Sequence, residues 1–233
     1  MQKESVSIGL LRLIQEQLRQ RESRSPGVVE VLAGLKRHLD NTHLAVEENP
    51  VLPPGREVLL DRSIEGINDP LLQPLADQIR LARNRLTWRI DYGLFYPEEA
   101  DVGQAYLDGN MHTELIGPNG CVFPDDDFSL GLFMLPPATL YRDHDHAAPE
   151  LYFNLTGPCG WRFDKGCWQD FGAGSLIWNP ESMAHAMRTY EQSFLSVYSW
   201  TSNVNSLCRV VPADDWQEIE AQLANTQNTL QPS

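Results

Sequence analysis

The spacing His144-Asp145-His146, then Glu150, then much later His185, constrains this chain more than any other feature. Histidines two positions apart share a face only on an extended backbone, because strand side chains alternate with period two. The segment is therefore expected to be a strand that aims both imidazoles at one point. Pro149 stands in the short connection before the apolar run Leu151-Tyr152-Phe153-Asn154-Leu155, so a hairpin would carry the Glu150 carboxylate back beside them. His185 would arrive from a more distant strand. Three imidazoles and one carboxylate suit a single divalent ion (Zn, Fe, Mn or Ni) and leave coordination positions open for water or substrate.

Strand parity sorts the residues around this point. Glu150, Tyr152 and Asn154 share one face, so Tyr152 is expected in the same cavity as the metal. It would serve there either as a general base, its phenol acidified by the ion, or as a wall aromatic. A later run alternates Phe194, Ser196, Tyr198 and Trp200 against Leu195, Val197 and Ser199. If the first set faces inward, Trp200 lines the pocket, and Trp178 is a second candidate from a neighbouring strand. Such rings would stabilise a cationic head group through their quadrupoles, by about 0.5–2 kcal/mol each.

The rest of the chain divides in two. Residues 5 to about 90 read as helical: Ile8, Leu11, Ile14 and Leu18 recur at helical spacing, as do Val28, Leu32, Leu35 and Leu39. A Pro-rich connection over residues 49–55 precedes a third helix near Leu71 to Leu86. An apolar stripe of this size must be covered, by the rest of the chain or by a second copy in a homodimer. From about Thr87 the sequence changes to short aromatic and β-branched runs broken by Gly, Pro and Asp. Strands are expected at 130–135, 140–146, 150–156, 160–164, 175–178, 184–189, 194–200 and 207–211, followed by a closing helix over 214–223. The expected organisation is a helical region at 1–90, a β-barrel with the metal site at 91–212, and a C-terminal helix with polar tail at 213–233.

These intervals resemble the cupin superfamily. Its first motif places a Gly ahead of His-x-His, Glu and a second Gly; His144, His146, Glu150 and Gly157 match, with Ala138 at the leading Gly. Its second motif is matched by Gly174, Pro180 and His185, with Ser182 at the inner Gly and Thr189 at the terminal Asn. The resemblance implies a mainly β double-stranded β-helix (cupin) barrel preceded by the helices. The run from Tyr141 to Tyr152 is similar, more narrowly, to the cupin-type dimethylsulfoniopropionate (DMSP) lyases. That resemblance implies cleavage to dimethyl sulfide and acrylate by β-elimination. His146, Glu150 and His185 would bind the metal, His144 would be a ligand or a substrate contact, Tyr152 the base and Tyr141 a pocket residue. Simple parity sets Tyr141 on the face opposite His144, so a pocket role for it requires a bulge.

Composition narrows the alternatives. With 32 acidic against 18 basic residues the formal charge is −14, a field that repels phosphate backbones and argues against nucleic acid. The N-terminus lacks the apolar core of a signal peptide, and no run approaches the roughly 20 apolar residues of a membrane span. A cytoplasmic protein acting on a small zwitterionic or carboxylate substrate is expected. The four cysteines are expected as reduced thiols, a Cys159–Cys167 hairpin disulfide being the alternative pairing. Two other readings share the ligand set: an Fe-dependent dioxygenase or isomerase on a small carboxylate, and a non-catalytic small-molecule-binding barrel.

Overall fold

The computed structural model describes residues 5–21, 25–46 and 50–230, so Met1 to Glu4 and the end of the polar tail lie outside the described residues. Four helices open the chain: α1 (Val6–Arg19), α2 (Gly27–Leu39), α3 (Glu57–Glu65) and α4 (Gln73–Ala82). Ser5 caps α1 by accepting from the Ile8 N–H at 3.2 Å. The expected third helix is α4 with single 3-10 turns at Pro70–Leu72 and Arg83–Arg85. Helix α3 was not anticipated; it follows the Pro-rich connection and buries Leu60, Ser63 and Ile64.

Twelve strands follow: β1 (Trp88–Arg89), β2 (Met111–Gly117), β3 (Phe123–Pro124), β4 (Ser129–Leu135), β5 (Leu140–Asp145), β6 (Glu150–Asn154), β7 (Cys159–Phe163), β8 (Gln169–Phe171), β9 (Leu176–Asn179), β10 (His185–Thr189), β11 (Phe194–Trp200) and β12 (Arg209–Val210). A short α5 (Gln104–Gly109) precedes β2, and α6 (Trp216–Leu230) closes the chain. One sheet runs β1-β2-β4-β11-β6-β9 with β3 beside β2, and the other runs β12-β5-β10-β7-β8. All eight expected strands are present within a residue or two, and β1, β2, β3 and β8 are additional. No ladder joins the two sheets among the described residues, so the expected barrel is a pair of facing sheets in the double-stranded β-helix arrangement.

The two faces of the larger sheet have different partners. Its outer face carries Leu130, Leu132, Phe153, Leu155, Leu195 and Val197, which share one core with Leu11, Ile14, Leu18, Val28 and Leu35 of the helices. The helical stripe is thus covered within the chain. Trp178 belongs to this outer side: it pairs with Leu151 across the ladder and packs against α2, where a Cβ on Gly27 would lie 2.0 Å from its ring. The expectation that Trp178 lines the pocket is therefore corrected. Its neighbour Ile177, opposite Tyr152, is the inward residue. Between the sheets, Phe133, Tyr141, Tyr152, Trp161, Met187 and Phe194 form a second, aromatic core.

Two local features position the site. Ala138 and Ser182, at the positions where the cupin motifs carry glycine, have φ of 53° and 60°. The left-handed turns are kept without glycine, at a cost of about 1–2 kcal/mol each for the β-carbon. On β5, His144 faces His185 while Tyr141 faces Met187, so Arg142 and Asp143 together oppose Ala186. This one-residue bulge rotates Tyr141 onto the face of His144. The extra pair points outward: Arg142 bonds Glu220 of α6, and Asp143 accepts from Arg162 and from the Trp216 indole at 2.8 Å.

Two outcomes follow for stability. Ala138→Gly and Ser182→Gly are each expected to raise stability by about 0.5–1 kcal/mol, once the added freedom of the unfolded chain is subtracted. Trp178→Ala is expected to lower it by about 2–4 kcal/mol while leaving substrate affinity unchanged. Denaturant melts beside a binding titration check both.

Candidate metal centre and pocket

Strands β5, β6 and β10 deliver four side chains to one buried point. Single ligand atoms of His144, His146 and His185 all lie within 4.8 Å of one another. Glu150 Oε2 is 3.3 Å from His146 Nε2 and 3.4 Å from His185 Nε2, with every one of these residues buried. Each imidazole is fixed from behind: Nδ1–H donates to a backbone carbonyl, of Arg142 for His144 (2.8 Å), Ala148 for His146 (2.7 Å) and Met183 for His185 (2.9 Å). A carbonyl accepts only, so the tautomer is set and the Nε2 lone pairs converge. His185 Nε2 is fully buried with no hydrogen-bond partner.

These lone pairs face a carboxylate, acceptor against acceptor. The arrangement holds only with positive charge between them, as a proton or a metal ion. The electrostatics point the same way. Burial would push the Glu150 carboxyl up, but the charge and hydrogen bond of His146, with the charge of His185 beside it, outweigh burial and hold Glu150 well below the usual carboxylate range. Burial works against His146⁺, yet Glu150 raises this imidazole above its ordinary value. His144, buried and beside the two other rings, is driven well below its own. Donor set, tautomers and burial thus fit one divalent ion held by His144, His146, His185 and Glu150.

Around this cluster lies a cavity of about 70 Å³ lined by aromatic and acidic residues. That volume holds on the order of five water-sized positions, so it suits a small ligand. Tyr152 and Trp200 line it as parity required. The Trp200 indole N–H donates to Glu150 Oε1 at 2.8 Å, and its ring centroid is 4.7 Å from that of His146. Asn179 donates to the other carboxylate oxygen at 3.2 Å. Burial first, then the charge of Glu150, pushes the Tyr152 phenol well above its ordinary value.

Tyr141 lines the cavity as well, through the bulge. Its ring stacks on His144 and on Tyr106, at 4.2 Å in both cases, and its hydroxyl oxygen accepts from Tyr96 at 2.7 Å. Tyr106 in turn donates to the buried Asp91 at 2.7 Å. Sequence reading missed Asp91, Phe95, Tyr96 and Tyr106, which sit where no periodicity is legible, and His112 and Glu114, which alternate along the unanticipated β2. That alternation was the available signal. All four cysteines are free, and Cys159 and Cys208 are buried.

Facing sheets with left-handed turns at the motif positions and a buried histidine–glutamate cluster define a cupin-type protein. The family model for dimethylsulfoniopropionate lyase matches residues 20–196, and the chain belongs to that family. Dimethylsulfoniopropionate lyase DddQ of Ruegeria pomeroyi is 26% identical over 119 residues, which are 51% of this chain and 56% of that relative. The match thus spans about half the length of each. Among solved structures, one reported for the DMSP lyases RdDddP and RnDddQII aligns with a TM-score of 0.63 at 20% identity, covering 88% of this chain and all of that one. The R. pomeroyi DddQ structure aligns at 0.61 with 21% identity, covering 87% of this chain and 96% of its own. Both share the fold.

Protein purified from metal-supplemented cultures is expected to carry about one divalent ion per chain, measurable by elemental mass spectrometry. His185→Ala and Glu150→Ala are expected to lose most of it. Acidification should release the ion, because protons compete for the imidazoles.

Proposed function

We propose that the chain is a metal-dependent lyase that cleaves DMSP into dimethyl sulfide and acrylate. Family membership supports the reaction class. The observation that carries the chemistry is Tyr152 beside the histidine–glutamate cluster, inside one buried cavity. A divalent ion bound there would supply positive charge that holds the substrate carboxylate and stabilises the charge developing at its α-carbon.

The chain supplies the rest. Tyr152 is the residue placed to take the α-proton. Burial and the charge of Glu150 keep its phenol neutral, so the base role depends on positive charge that offsets Glu150. As the C–H bond breaks, its electrons form the C=C bond of acrylate, and the C–S bond pair leaves with sulfur as a neutral thioether. The sulfonium is a good leaving group, so proton removal is the step most in need of help. Trp200 and Asn179 fix Glu150 by hydrogen bonds, and Trp200, Phe133 and Tyr141 restrict water around the reacting carbons.

Metal-loaded protein incubated with DMSP should release dimethyl sulfide, followed by gas chromatography, and chelator-treated protein should not. Tyr152→Phe is expected to keep its metal and lose about 10²–10⁴-fold in kcat. Undiminished turnover by that variant would remove Tyr152 from the base role. Dioxygen consumption without dimethyl sulfide would replace the lyase reading with an oxygenase.

A further inference from the structure

The cavity has a second acidic end. On the inner face of the larger sheet, Glu114, Gly131, Tyr198 and Tyr152 occupy one cross-strand row. Three strand spacings separate the first from the last, about 14 Å between backbones, and the side chains of Glu114 and Tyr152 line one cavity. Gly131 leaves the middle of the row open: a Cβ there would lie 2.8 Å from the Tyr198 ring and 2.0 Å from the Thr113 carbonyl oxygen. The Tyr198 ring fills that space beside Glu114, and both line the cavity.

Glu114 is buried, and both of its oxygens are held. Ser129 Oγ donates to one and the Asn119 N–H to the other, each at 2.9 Å. Gly117 makes room for it, since a Cβ there would lie 2.0 Å from Oε1. Few cations oppose it. Burial lowers His112, on the same face, to about 4, so that imidazole is neutral. Burial raises the Glu114 carboxyl by more than its hydrogen bonds from Ser129 and Asn119, and then the charge of Arg89, draw it down; the Arg89 guanidinium donates from the exposed edge to the Asn119 carbonyl. Aromatic rings line the same cavity as the carboxylate, with the Phe95 ring 6.4 Å from that of Trp200 and 5.6 Å from that of His112.

We propose that Glu114 is a specificity-determining residue for a cationic head group: the end bounded by Glu114, Tyr198, Phe95 and Trp200 takes an onium ion while the carboxylate of the same zwitterion faces the histidine cluster. A held carboxylate attracts the charge, and the ring faces stabilise methylated onium groups that form no hydrogen bonds. The assignment rests on the zwitterionic substrate of the lyase reading and adds which residue tells an onium from a neutral group of the same shape.

Trimethylammoniopropionate and tert-butylpropionate have that shared shape and differ by one positive charge. Calorimetric titration of the metal-loaded protein should show the ammonium compound bound on the order of tenfold more tightly, the size of one charge contact. Glu114→Gln should erase that preference while leaving tert-butylpropionate affinity and metal content unchanged. Ser129→Ala, which frees the carboxylate without removing it, should weaken the preference partially. A folded Glu114→Gln that keeps the full preference, or a wild type with none, overturns the assignment. Dimethyl sulfide release by the same wild-type sample separates the two claims: release with an unaltered preference in Glu114→Gln sinks only the role of Glu114, whereas absence of both release and ammonium binding sinks the lyase reading with it.

Discussion

Four groups that all present lone pairs meet at one buried point, and the rest of the molecule holds them there. Three backbone carbonyls lock the imidazoles with Nε2 inward, while Trp200 and Asn179 hold the carboxylate opposite. Left alone, such a set repels itself, and its members would turn away or collect protons. A fold that spends so many hydrogen bonds on keeping lone pairs aimed at one another has stored a binding preference for positive charge. The raised His146, the depressed His144 and the strongly acidic Glu150 are three readings of that one constraint.

The same constraint orders the pocket. Positive charge at the cluster would set the potential felt by Tyr152, two residues beyond Glu150 on the same face of β6. The aromatic core between the sheets keeps the cavity low in dielectric, which strengthens every such interaction. The helices contribute from outside. By covering the outer face of the larger sheet they leave its inner face free to carry polar groups such as Glu114, Ser129 and Asn154 without exposing apolar strands to water.

Much of this was legible from the residues. Period-two spacing gave the strand character of His144 and His146, and the alternation along β11 correctly separated Phe194, Tyr198 and Trp200 from Leu195 and Val197. Trp178 was misplaced because an isolated aromatic in a four-residue strand has no parity reference, and its face is decided by a ladder to Leu151. Asp91 and Tyr96 lie in irregular backbone, where neither period applies, and their bonds reach Tyr106 and Tyr141, 15 and 45 positions away. Glu114 was missed for a different reason: β2 itself was not expected, so its alternation had no strand to be read on.

The bulge in β5 has a consequence for how such pockets change. Tyr141 stacks on His144 only because Arg142 and Asp143 share one position opposite Ala186. Loss of either residue would restore simple alternation and turn Tyr141 to the outer side, with both histidines left in place. The chemistry of that wall is thus encoded in a count of residues, and a single codon gained or lost could exchange one pocket for another while every ligand in the motif stayed the same.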